Sequence, residues 1–127
     1  MNGNPKKSVF GFAHAWNGLK EAARTERNFR FHLAAAFLVV ATGVFFRIET
    51  SQWAIIMLAS GMVLTAELIN TAIEKTMDYL KPDIHPRVKI IKDIAAGAVL
   101  IAAIFAAAAG LFVFLPELYA IKGVVPF

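Results

Sequence analysis

The chain has 127 residues, with 13 Lys and Arg against 9 Asp and Glu, 58% hydrophobic side chains and a mean hydropathy of +0.61. That length suggests one domain, and that apolar content excludes an ordinary water-soluble one. Cysteine is absent, which excludes disulfides, thiolate chemistry and Cys-ligated zinc.

Met1 to Ser8 is polar, with Gly3 and Pro5, and reads as a frayed leader. From Val9 to about Arg30 the pattern becomes amphipathic. Phe12, Trp16, Leu19 and Ala23 recur at helical spacing opposite Asn17, Lys20 and Arg24. An aromatic- and Arg-rich helix of this kind suits a membrane surface. The first apolar run, residues 31–46, is short for a span, so its helix is expected to begin earlier and let Arg27 and Arg30 snorkel to the interface. The N-terminal region lacks a compact apolar core followed by a small-residue cleavage site, so this span is expected to be retained.

Arg47 to Gln52 reads as a brief turn, after which Trp53 fits an aromatic interface anchor. The second span covers residues 53–73, and its helix should run on to about Leu80. Lys81-Pro-Asp-Ile-His-Pro-Arg87 forms the next connection, broken by two prolines. The third span covers residues 94–115 and is expected to stop at Pro116. Within it Ala98, Ala102, Ala106 and Gly110 repeat every fourth residue, a smooth face for helix packing within a protomer or between protomers. The expected fold is an all-α integral membrane protein, an N-terminal surface helix plus three transmembrane helices forming one domain over residues 1–127.

The basic residues are distributed unevenly around these spans. Lys6, Lys7, Lys20, Arg24, Arg27 and Arg30 precede the first, and Lys75, Lys81, Arg87, Lys89 and Lys92 lie between the second and third. Only Arg47 falls between the first and second, and only Lys122 follows the third. This places the N-terminus in the cytoplasm and the C-terminus outside. It does not suggest nucleic acid, because the basic residues flank membrane segments without an aromatic-interleaved patch.

Three polar clusters converge on the cytoplasmic face. The second span carries Glu67, Asn70, Glu74 and Asp78. At about 100° per residue the three carboxylates fall within about 40° of one another, with Asn70 about 60° to one side. Ionisable groups inside a bilayer are costly and are functional candidates by default. Lys92-Asp93 opens the third span, followed by small residues at Ala95 to Ala98 that would let a phosphate or a backbone come close. Glu26, Arg30 and His32 open the first.

Glu26 and Glu74 are carboxylates from different helices that could share a hard divalent cation such as magnesium. Lys92 and Arg30 could meet phosphate oxygens. Glu67, desolvated and deeper, could accept the proton of a hydroxyl arriving from the lipid side. A phosphate donor would enter from the cytoplasm, as an interfacial lipid kinase requires. The duller readings are a structural pairing for Glu67, a solvated charge for Asp78, a snorkelling anchor for Lys92 and solvated imidazoles for His14, His32 and His85. A glycine-rich phosphate loop and the soluble-kinase motifs are both missing.

Glu67-Leu-Ile-Asn70-Thr-Ala-Ile-Glu74, then Asp78, then Lys92-Asp93-Ile-Ala-Ala-Gly97-Ala98-Val99 resembles the signature of the small bacterial diacylglycerol kinase family. Arg24-Thr-Glu26-Arg-Asn28-Phe-Arg30-Phe-His32 looks like its Gram-positive undecaprenol kinase branch, with a Glu-Arg-Asn-x-x-x-His pattern. The resemblance covers about residues 9 to 116. It implies a homotrimer whose active sites lie at the cytoplasmic face and are shared between neighbours. By carry-over Glu67 is the general base, and Glu26 and Glu74 hold magnesium on the nucleotide phosphates. Lys92 and Asp93 contact ATP, with Asp83 and His85, while Asn70 fixes the reacting groups and Asp78 supports that layer. His14 stands where the Gram-negative enzymes place a nucleotide-contacting Tyr. The implied reaction is in-line transfer of the ATP γ-phosphoryl group to undecaprenol in the bacterial cell membrane, with diacylglycerol as the alternative acceptor. A small proton- or solute-conducting oligomer using Glu67 as a relay is the competing class, and a purely structural membrane subunit a third.

Overall fold

The computed structural model describes residues 6–81, 83 and 85–121, which form four helices. They are α1 (Lys6–Thr25), α2 (Arg27–Phe46), α3 (Thr50–Leu80) and α4 (Pro86–Ile121). The last three are long and apolar enough to cross a membrane, so this is an all-α membrane protein. Met1 to Pro5 of the expected leader, Pro82 of the connection and Lys122 lie outside the described residues.

α1 and α2 meet at one residue. Glu26 adopts extended angles (φ −104°, ψ 110°), yet its N–H still donates to the Ala22 carbonyl at 2.8 Å. Arg30 holds the joint from the other side, its Nη1 donating to the Ala23 and Arg24 carbonyls at 3.1 and 2.9 Å. A guanidinium on the last carbonyls of α1 satisfies groups that the helix leaves unpaired and complements its dipole. Ala22 and Phe29 are buried beside this joint, whereas Phe12 and Trp16 on the apolar face of α1 are 84% and 61% exposed.

The α2–α3 turn closes tightly. Arg47 takes the left-handed conformation (φ 52°, ψ 52°), and the Ile48 N–H returns to the Gly43 carbonyl at 3.2 Å. Glu49 then caps α3 reciprocally with Gln52, whose side-chain oxygen accepts the Glu49 N–H at 2.8 Å. Trp53, expected as an interface anchor, packs inward here. A Cβ on Gly43 would lie 2.8 Å from the Trp53 ring, so only glycine admits the indole. Ile48, Ile56 and Val113 form the buried core at this end, flanked by Val39, Phe46, Trp53 and Phe114.

α3 packs most extensively on α4 and less on α2. Its buried residues are Ile56, Val63, Glu67, Asn70 and Thr71, which share one face of the helix. That face is hydrocarbon at the turn end and polar at the other. α4 starts on Pro86, a residue suited to the first helical position. It does not stop at Pro116 but continues through it to Ile121. Proline removes one backbone donor from a helix, and so near the end of a long one the remaining ladder carries the last turn. Ala106 and Gly110 of the small-residue face line a groove against α2 and α3, while Ala98 and Ala102 line a shallower depression beside α3 alone.

Candidate active site

The polar ends of α2, α3 and α4 come together at the end of the bundle opposite the α2–α3 turn. On α3 the stripe that buries Ile56 and Val63 reaches Glu67, which is only 3% exposed. Across the seam with α2, His32 Nε2 lies 3.9 Å from Glu67 Oε2, with side-chain exposures of 18% and 5%. Glu67 also lies within electrostatic range of Glu74 and Glu26, so three carboxylates and one imidazole share a single neighbourhood. That arrangement brings Glu26, at the start of α2, to the same place as the α3 carboxylates.

One turn beyond Glu67, buried Asn70 donates from Nδ2 to Glu74 Oε1 at 3.2 Å. The Asn70 amide oxygen is buried without a hydrogen-bond partner among the described residues. Most buried polar atoms are paired, so this one stands out. Glu26 pairs with Lys75 at 3.3 Å. Glu74 and Glu26 are both half-buried.

A second layer ties α3 to α4. Lys92 Nζ hydrogen-bonds Asp78 Oδ1, and one turn earlier Lys89 Nζ donates to Asp93 at 2.6 Å. Lys92 is half-buried, whereas Asp78, Asp93 and Lys89 are exposed. His85 sits just before α4, its Nδ1 accepting the Arg87 N–H at 3.2 Å. Asp83 and His14 are exposed and make no polar contact with the Glu67 group among the described residues. Arg30, one helical turn from Glu26, faces the α1 carbonyls described above.

The structure thus brings Glu26 and Glu74 within electrostatic range of Glu67, joins Asn70 to Glu74, ties Asp78 to Lys92 and Asp93 to Lys89, and shows no polar contact from His14 or Asp83 to that group among the described residues. Two members escaped the sequence reading: His32 as the partner of Glu67, and Lys75 as the partner of Glu26. The available signal for His32 was an imidazole inside an otherwise apolar run, at a depth matching Glu67. No group of three or more His, Cys, Asp or Glu suited to hold a metal on protein ligands alone occurs among the described residues. The donors present are carboxylate oxygens. Such a set suits a hard cation that takes one or two protein carboxylates and completes its shell with water and phosphate.

Chemically, the site offers a proton acceptor at the edge of hydrocarbon, a carboxylate layer, and a lysine layer nearer water. The sequence pattern of the family described as prokaryotic diacylglycerol kinase matches residues 13–114. An undecaprenol kinase of Bacillus subtilis is 47% identical over 107 residues, covering 84% of this chain and 87% of that protein. A diacylglycerol kinase of Synechocystis is 39% identical over 111 residues, covering 87% of this chain and 63% of the relative. A Helicobacter pylori diacylglycerol kinase is 33% identical over 89 residues, 70% of each chain.

Proposed function

The chain belongs to the prokaryotic diacylglycerol kinase family, and we propose that it moves the γ-phosphoryl group of ATP to the hydroxyl of undecaprenol, giving undecaprenyl phosphate. The observation that carries this reading is the buried Glu67, set where the hydrocarbon face of α3 turns polar, with Glu26 and Glu74 within electrostatic range. Undecaprenol is favoured as acceptor by the 47% identity to a protein of that activity.

Glu67 takes the hydroxyl proton as the alcohol oxygen bonds to the γ-phosphorus. The bond from that phosphorus to the β,γ-bridging oxygen breaks, and ADP leaves with the electron pair. Catalysis is then positioning and charge neutralisation, without a phosphoenzyme. Glu26 and Glu74 would hold magnesium, and the fit is chemical: both offer oxygen, and Glu26 already pairs with a cation, the Lys75 ammonium. When bound, the metal supplies positive charge to the nucleotide phosphates. Asn70 holds Glu74 in place through its amide. Lys92, positioned by Asp78, reaches for phosphate oxygens, and Asp93, Asp83, His85 and His14 complete the nucleotide contacts. Arg30 fixes the α1–α2 joint that carries Glu26.

We place the site at the cytoplasmic face of a bacterial cell membrane, with the N-terminus inside and the C-terminus outside. The basic residues support that orientation, since all but Arg47 and Lys122 fall on the site's side. The spans are residues 31–46, 53–73 and 94–115, following a surface segment over residues 9–30 that is not one helix but breaks at Glu26, its last residues belonging to α2. A homotrimer with shared sites follows from the family resemblance.

The test is phosphate transfer from labelled ATP in mixed micelles offering undecaprenol and diacylglycerol side by side. Faster labelling of undecaprenol is the expected result, and faster labelling of diacylglycerol would move the acceptor assignment. The relatives named diacylglycerol kinase keep that second acceptor in play. Conduction through Glu67 is disfavoured by residues 33–46, 51–66 and 94–116, which contain no ionisable side chain to continue a relay.

A further inference from the structure

His32 has no place in the mechanism so far, yet it is the side chain of α2 that faces the proposed base. Its Nε2 lies 3.9 Å from Glu67 Oε2, too far for a direct hydrogen bond. A polar pair at such a distance invites an intervening group. With contacts of about 2.8 Å to each atom, one oxygen fits at the apex of a triangle on that base. The seat has a donor on one side and an acceptor on the other, when His32 is the neutral tautomer protonated at Nε2. A hydroxyl satisfies both, because it accepts and donates at once; an ammonium or a carboxylate satisfies only one.

The surroundings say where such a hydroxyl comes from. A groove of about 480 Å³ between α2, α3 and α4 has His32 among its lining residues, and apart from Ser60 its other walls are hydrocarbon. On α3 it runs along Ile56, Ser60 and Val63, the stripe that reaches Glu67 one turn later. Phe31, beside His32, packs edge-on against the imidazole with ring centroids 5.5 Å apart, which limits its rotation. The charged group facing His32 from α3 is Glu67, which is itself within electrostatic range of Glu74 and of Glu26 at the start of α2.

We propose that His32 is a catalytic residue that seats the acceptor alcohol, its Nε2–H donating to the hydroxyl oxygen while Glu67 Oε2 accepts the hydroxyl proton. This rests on the lipid-kinase reading. One oxygen lone pair is then taken by His32 and another is left to bond to the γ-phosphorus. The proton ends on Glu67, and His32 keeps its own throughout.

Two substitutions test the seat in the full-length chain, with undecaprenol and labelled ATP in mixed micelles and ATP binding measured separately. His32→Leu keeps the bulk and removes the donor, and is expected to lower kcat/KM for the alcohol by roughly ten- to a hundredfold. The Kd for ATP should stay within about twofold of wild type, since His32 Nε2 faces Glu67 and makes no polar contact with Glu26, Glu74 or the Lys92 layer among the described residues. His32→Gln restores an N–H donor near the imidazole Nε2 position and is expected to recover most of the loss. Wild-type kcat/KM in His32→Leu overturns the proposal. So does a parallel loss of ATP binding and turnover in both variants, which would make His32 a packing residue. A wild-type chain that labels no lipid alcohol removes the kinase reading, and the seat with it, before either variant is considered.

Discussion

Glu67 and His32 face each other across the α2–α3 seam, and the consequences of that pairing begin with the carboxylate. Glu67→Gln keeps the shape and the hydrogen-bonding capacity of the side chain but removes its proton affinity. It is expected to reduce turnover by about 10²- to 10⁴-fold, the range usual for a general base, with ATP binding and helix content retained. Stopped turnover with normal nucleotide binding is the check, and a substantially active variant would remove Glu67 as the base. Lys75→Met acts elsewhere, by freeing Glu26 from the ammonium at 3.3 Å. Half-saturating magnesium in the kinase assay should then fall about two- to fivefold, in line with the loss of a partly exposed ion pair. Glu67 was legible in the sequence because a carboxylate inside an apolar run stands out on its own. His32 was not, because its partner lies on another helix, and spacing along one helix says nothing about a contact across a seam.

At the scale of the element, α3 is the organising part. Its 31 residues span about 46 Å against a hydrocarbon core of about 30 Å, so it must emerge from the membrane at one end. One stripe on it serves both purposes, burying Ile56 and Val63 in the core and Glu67, Asn70 and Thr71 in the site. Whatever fixes its rotation near the turn also aims the carboxylates. The Gly43–Trp53 contact is one such fixture. Gly43→Ala drives a methyl into the indole, where only 2.8 Å is available, and is expected to cost about 1–3 kcal/mol. A lower Tm in detergent, recovered by the additional change Trp53→Leu, is the expected outcome; an unchanged Tm would show that the ring moves freely. The three apolar helices were legible from hydropathy alone. The reach of α4 through Pro116 was not, since proline is a stop signal by local rule and its neighbours overrule it here. Nor did the run from Val9 to Arg30 reveal the break at Glu26, which is set by the Arg30 caps on the preceding carbonyls.

The whole molecule presents much of its apolar surface outward. Phe37, Phe45, Met62, Phe105 and Phe112 are all exposed, as suits a chain whose solvent is lipid. α1 continues the outward apolar surface, with Phe12 and Trp16 exposed on a helix that also carries Lys and Arg, a composition suited to a membrane interface. In a Trp53→Phe variant the remaining tryptophan is Trp16, whose fluorescence should shift to the blue in vesicles and be quenched by lipids brominated near the headgroups. Quenching only by bromines deep in the chains, or none, would displace α1 from the surface. Composition made the membrane setting legible; the assembly of polar ends was foreshadowed only as a shared face. The placement of Glu67 on α3 has one more consequence. It lies 17 residues from Thr50, about 25 Å along the axis, so most of the bilayer's thickness lies between it and the α2–α3 turn. That stretch has no ionisable side chain and is packed around Ile48, Ile56 and Val113. It behaves as a dielectric, and the transmembrane voltage falls mainly across it, with little left across the site. Phosphoryl transfer should therefore proceed at nearly the same rate in an energised cell and a depolarised one.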